Sequence, residues 1–106
     1  MNIAEKRNII DFSGSTLWDD YISYMLEKGY ALNTARTTKG YVYTVWRNCG
    51  DEYLWELLSA NEEKMRDILS TFIDTYYPLQ TRYLNNYMSS FRYFQDYLTN
   101  GGRSRK

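Results

Sequence analysis

One proline interrupts 106 residues, and between the few glycines the apolar side chains return every three or four positions. That period belongs to helices that bury one face, and it runs the length of the chain. The sequence therefore predicts an all-α protein, a compact bundle of four main helices with short connections. A chain of this length is one domain, able to bury roughly two-thirds of its unfolded surface.

Residues 1–14 read as an N-terminal lead-in ending at Ser13 and Gly14. Ser15 or Thr16 can cap a first helix, with Asp19 completing an approximate capping box. Its apolar stripe is Trp18, Tyr21, Ile22, Met25 and Leu26, and Gly29 stops it. Asn33 or Thr34 can cap a second helix with Thr38, Tyr41, Val42, Val45 and Trp46 inward, ended by Asn48, Cys49 and Gly50. Residues 51–58, with Tyr53, Leu54, Trp55, Leu57 and Leu58, read as a short helical turn on the core. Ser59 and Glu62 have the spacing of a capping box for a third helix that buries Met65, Ile68, Leu69, Phe72, Ile73 and Tyr76. Pro78 suits the first turn of a fourth helix, where a missing N–H costs nothing. That helix runs to Thr99 with Leu84, Tyr87, Met88, Phe91, Phe94, Tyr97 and Leu98 inward. The helical domain thus spans residues 15–100, and residues 101–106, Gly-Gly-Arg-Ser-Arg-Lys, read as a flexible basic linker.

Histidine is absent. That removes the Ser-His and Cys-His nucleophile pairs and the commonest metal ligand. One cysteine, Cys49, cannot build a zinc site or an internal disulfide, and it fits a reducing cytoplasm. Beside a helix end and without a nearby base, it reads as a small packed residue. No glycine-rich phosphate loop is present. No run approaches the ~18 apolar residues of a membrane span, and the first residues lack the apolar stretch of a signal peptide. The expectations are no catalytic residues, no metal, no cofactor, no small-molecule substrate, no membrane and a cytoplasmic location.

The formal charge is zero, but it is not evenly spread. Residues 8–27 hold four acids and no base, and residues 28–47 hold Lys28, Arg36, Lys39 and Arg47 and no acid. Residues 48–74 hold seven acids against Lys64 and Arg66, and residues 75–106 hold five bases against Asp96. The second and fourth helices are therefore basic, the first and third acidic. The outward residues of the second helix are Arg36, Thr37, Lys39, Gly40, Tyr43, Thr44 and Arg47; those of the fourth are Gln80, Arg82, Asn85, Asn86, Ser89 and Arg92. These side-chain types pair with phosphates and base edges, and the cations supply the attraction duplex DNA needs. The DNA-binding candidates are Arg36, Thr37, Lys39, Arg47, Arg82, Asn85, Asn86, Ser89 and Arg92. A solvated polar surface is the plain alternative for the same residues.

The order of these elements resembles the N-terminal core-binding domain of phage-type integrases, the tyrosine recombinases. An aromatic-rich helix end at residues 21–29 is followed by the capped start Asn33-Thr34 with Tyr41 and Trp46 beyond it. Leu58, Ser59 and Glu62 then precede the apolar Ile68, Leu69 and Phe72, and residues 90–101 are aromatics, an apolar pair and a glycine. The resemblance covers residues 16–102 and departs from the family at Pro78, where a Ser or Thr cap is usual. It implies a SAM-like helical fold that clamps double-stranded DNA, with the second and fourth helices approaching the major groove. It also implies a separate C-terminal domain that does the cutting and joining, and other recombinase protomers as partners. The spacing of Arg82, Asn85, Asn86 and Ser89 places them on one exposed face suited to base edges, while Arg36, Lys39 and Arg47 suit phosphates.

A second function class stays open beside this one, a helical protein-interaction domain that uses an aromatic surface and does not bind DNA. Twelve tyrosines do not make a recombinase nucleophile, which needs arginines placed around the phosphate to stabilise developing charge. Tyr43 and Tyr93 point outward, and most of the tyrosines fall at core-facing or half-buried helical positions. Incubated with a suicide DNA substrate, the chain will form no covalent protein–DNA adduct; a phosphotyrosyl adduct on a denaturing gel would overturn the non-catalytic assignment.

Overall fold

A computed structural model describes residues 10–101. Residues 1–9 of the expected lead-in and residues 102–106 of the expected linker lie outside the described residues. Among the described residues five α-helices follow one another: α1 (Ser15–Glu27), α2 (Leu32–Cys49), α3 (Asp51–Ser59), α4 (Glu62–Tyr76) and α5 (Leu84–Asp96). A 3-10 turn, Pro78–Tyr83, leads into α5, and a π-helical turn, Tyr97–Gly101, closes it. Among the described residues there is no strand, so the all-α expectation holds. The helix count is five rather than four, because residues 51–58 form a helix in their own right. It buries Leu54, Trp55, Leu57 and Leu58. Among the described residues, no helix is long and apolar enough to cross a membrane.

The fourth helix read from the sequence is three pieces. Pro78 fixes φ and withholds an N–H, and the chain answers with a 3-10 turn kinked at Gln80 (φ −107°, ψ 21°) before α-helical geometry sets in at Leu84.

The helix starts also differ from the spacing-based expectation. Gly14, not Ser15 or Thr16, precedes α1, and no side chain caps it. The approach is held instead by Asp11, whose carboxylate accepts from Ser13 N–H (3.0 Å) and Ser13 Oγ (2.6 Å). These bonds hold the Asp11 carboxyl below its ordinary value. Helix α2 starts after Ala31, ahead of Asn33 and Thr34. Ser59 closes α3 rather than opening α4; Asn61 is the cap, accepting from Lys64 N–H at 2.8 Å.

The stops follow the expectation. Gly29 (φ 97°) ends α1 in a Schellman turn, with Gly29 N–H donating to the Leu26 carbonyl and Tyr30 N–H to that of Met25. Gly50 (φ 87°) ends α2 and opens α3, and Trp46 Nε1 donates across this corner to Asp51 at 2.6 Å.

Helix α5 packs against α2, α4 and α3, and α1 lies on α2 and on the π turn. Phe94, wholly buried, is the meeting point of the rings of Phe12, Trp18, Tyr21 and Tyr97. Phe12 belongs to the expected lead-in, yet it is buried against Trp18, Trp55 and Phe94. Two expected core residues face solvent instead: Leu26 and Tyr76 are each 45% exposed. In α1 the buried place goes to Tyr24, whose hydroxyl donates to Asp96. Tyr97 donates to Asp20 at 2.7 Å, and Gln95 donates to the Leu58 carbonyl at 2.9 Å. These bonds tie the end of α5 to α1 and α3.

Burial pushes the hydroxyls of Tyr21, Tyr53 and Tyr87 up to about 12 from 10.0. A group raised in the folded chain ionises first when unfolded, so its stabilising contribution is complete below pH 10 and is lost as the pH climbs toward 12. The urea midpoint, followed by circular dichroism, will hold below pH 10 and fall between pH 10 and about 12 alongside tyrosinate absorbance. A midpoint unchanged across that window would show that these hydroxyls are not shielded from water.

Candidate nucleic-acid interface

Helix α2 presents its polar side as two strips. Arg36, Gly40, Thr44 and Arg47 recur at spacings of four, four and three, so they lie along the outer side, with both arginines exposed. Lys39 leans the other way. Its ammonium sits over the Tyr43 ring at 5.4 Å, and Tyr43 stands edge-on to Trp18 of α1 at 5.2 Å. Thr37, Gly40, Tyr41 and Thr44 turn toward the 3-10 turn and α5. There they line a groove of about 310 Å³ with Tyr77, Gln80 and Tyr87.

Polar side chains brace that groove. Asn86 Nδ2 donates to the Tyr41 hydroxyl at 3.3 Å, Asn48 Nδ2 to the Tyr77 hydroxyl at 3.1 Å, and the Tyr87 hydroxyl to Gln80 Oε1 at 3.4 Å. The Tyr41 and Tyr87 rings meet edge to face, 4.6 Å between centroids. The groove therefore combines aromatic walls with hydroxyl and amide groups, beside a helix that carries exposed guanidinium groups.

The four residues expected to share one face of the last helix do not act as one face. Arg82 sits in the 3-10 turn, its guanidinium over the Tyr83 ring at 5.0 Å and donating to the Tyr83 hydroxyl at 3.1 Å. Asn86 bonds toward α2. Asn85, one residue earlier and so about 100° round the helix, turns toward α4, where its Oδ1 accepts from Arg66 Nη1 at 3.3 Å. Arg92 also turns toward α4 and pairs with Glu62 at 2.7 Å. Ser89 stays exposed. Of the nine candidates, the structure gathers Thr37 and Asn86 about the groove and sets Arg36 and Arg47 along the adjoining outer strip. Lys39 lies on the α1 side of α2, and Asn85 and Arg92 lie on the α4 side of α5.

One cation escapes sequence reasoning. Arg66 belongs to a stretch dominated by acids, yet it reaches across to α5 and adds positive charge beside Asn85. The only signal for it was its place four residues after Glu62, which points as readily to a pair within the helix.

Burial pushes the Cys49 thiol up, away from the reactive thiolate form. Among the described residues, no group of three or more carboxylate and thiol side chains gathers as a metal site would require. Compared with protein-family models, curated proteins and solved structures, the chain matches none.

Both members of the Arg92–Glu62 pair are about half exposed, at 49% and 62%. A pair in that setting contributes under about 1 kcal/mol. Glu62→Gln will therefore cost less than about 1 kcal/mol in urea unfolding while releasing the guanidinium. A larger loss would mean that Arg92 is committed to holding α4 against α5.

Proposed function

We propose that this chain is the DNA-binding core-recognition domain of a site-specific tyrosine recombinase or integrase. In this role it holds duplex DNA while a separate C-terminal domain cleaves and rejoins the strands. One observation carries the proposal: the two base-bearing helices lie side by side. Helix α2 brings Arg36 and Arg47 along its outer strip, with Lys39 on its α1 side, and the 3-10 turn and α5 bring Arg82, Asn86 and Ser89. The residues facing each other across the groove are hydroxyls, amides and tyrosines rather than carboxylates. The acids sit mainly on α1, α3 and α4. The resemblance to integrase core-binding domains supports the same role, with recombinase protomers as further partners in the full-length protein.

In this role α2 holds phosphates through its guanidinium groups, which fix register without reading sequence. Base reading falls to Arg82, Asn86 and Ser89, because Asn85 and Arg92 turn toward α4 rather than toward α2. Asn86 must exchange its bond to Tyr41 for one to a base, which costs little at 3.3 Å in an exposed setting.

A second reading, a protein-interaction domain without DNA binding, draws on Leu26, Tyr30 and Leu32. These stand 45%, 37% and 41% exposed around the α1–α2 connection. Duplex titration separates the two. DNA binding through about four to five phosphates loses about 10²–10³-fold in affinity between about 50 and 200 mM salt. Absence of duplex binding even at low salt would favour the interaction domain.

A further inference from the structure

Among the described glycines, Gly14, Gly29 and Gly50 have backbone tasks. Gly14 precedes α1, and Gly29 and Gly50 hold φ of 97° and 87°. Gly40 has none. It lies in the middle of α2, outside the positive-φ region, and a Cβ placed there meets nothing within 4 Å. The folded chain has room for alanine, and glycine in a helix interior weakens the folding equilibrium constant by about two- to fivefold relative to alanine. Among the described residues, none lies close enough to Gly40 to require the missing side chain. What Gly40 does provide is a stretch of bare helix backbone, open to an approaching partner.

Its surroundings favour one partner. Arg36 and Arg47 flank Gly40 on the same strip, about 16 Å apart along the helix axis. On one side Gly40 also lines the groove, with the hydroxyls of Thr37, Thr44, Tyr41 and Tyr77 and the amide of Gln80. Guanidinium groups at both ends and neutral donors between them suit a sugar–phosphate strand, which takes such donors along its length and needs room for its own bulk. Residues 28–47 carry no acid to repel it.

We propose that Gly40 is the point of closest approach between α2 and one strand of duplex DNA, the strand running past Arg36, Gly40 and Arg47 at the mouth of the groove. This inference rests on the DNA-binding role proposed above. It assigns a steric task to a residue with no functional side chain, so its signature is a split between stability and binding. A methyl group at this position strengthens the helix and holds the strand away.

The test uses the full chain, its Gly40→Ala variant and a control, Ser23→Ala, at an exposed position on acidic α1. Each is unfolded in urea and titrated into a fluorescent random-sequence duplex at about 50 mM salt. Gly40→Ala should raise the folding constant about two- to fivefold and lower duplex affinity about tenfold. Ser23→Ala should bind as the parent does. If the parent and Gly40→Ala bind the duplex equally, Gly40 is not the contact point, although DNA binding itself stands. If the parent binds no duplex, the DNA-binding role fails and this inference with it. If Gly40→Ala leaves duplex affinity intact but abolishes a self-association measured by sedimentation, the bare strip belongs to a second copy of the chain, and the strand assignment is overturned.

Discussion

Phe94 meets Trp18 nearly parallel at 5.5 Å, Tyr21 at 5.3 Å, Tyr97 at 5.7 Å and Phe12 at 6.3 Å. Those rings come from the approach to α1, from α1 itself and from the turn after α5. Each large ring buries on the order of 150–250 Å², and paired rings add about 0.5–1.5 kcal/mol beyond area alone. The cluster therefore fixes α1 over the C-terminal half of α5. A polar rim completes it: Tyr24 and Lys28 meet Asp96, and Tyr97 meets Asp20. With that half of α5 covered, its N-terminal half and the 3-10 turn are left beside α2, and the basic helices come together there. The position of the candidate interface is a by-product of where the aromatic core closes.

Helix identities were legible in the sequence because the core is periodic. Val42 and Val45, Leu69 and Phe72, Phe91 and Phe94 are buried where the spacing puts them. Helix ends were legible only where geometry allows one residue type. Gly29 and Gly50 hold backbone angles that other residues adopt at a cost, and both were readable. Helix starts were not: α1 and α2 begin after Gly14 and Ala31 with no side-chain cap, and before α4 two cap residues stood close together. Between Ser59 and Asn61 the deciding factor was the length of α3, which Leu57 and Leu58 extend by burying against the core. Phe12 was missed for a related reason: a single aromatic ahead of a helix has no period to reveal it.

The candidate interface was legible as a set of residues and not as a surface. Charge counting located the basic helices, and helical spacing located Arg36 and Arg47. Spacing alone could not show that adjacent Asn85 and Asn86 answer to different neighbours, since that depends on α2 and α4 flanking α5 on opposite sides. Nor could it show that Arg66 leaves its own acidic helix to reach α5. Both outcomes are tertiary, and both change which groups are available to a ligand.

Gly50 is the entire joint between α2 and α3. Its N–H bonds back to Trp46, its carbonyl accepts from Leu54, and the Trp46–Asp51 bond spans it. Loops ordinarily absorb changes of chain length, but here there is no loop to do so. An added residue has to join one helix or the other, and each residue swings whatever follows about 100° round the axis. Leu54 and Trp55 would rotate out of the core, and with them the surface on which Phe12 rests. The length of this one-residue corner is therefore as much a part of the fold as the rings themselves.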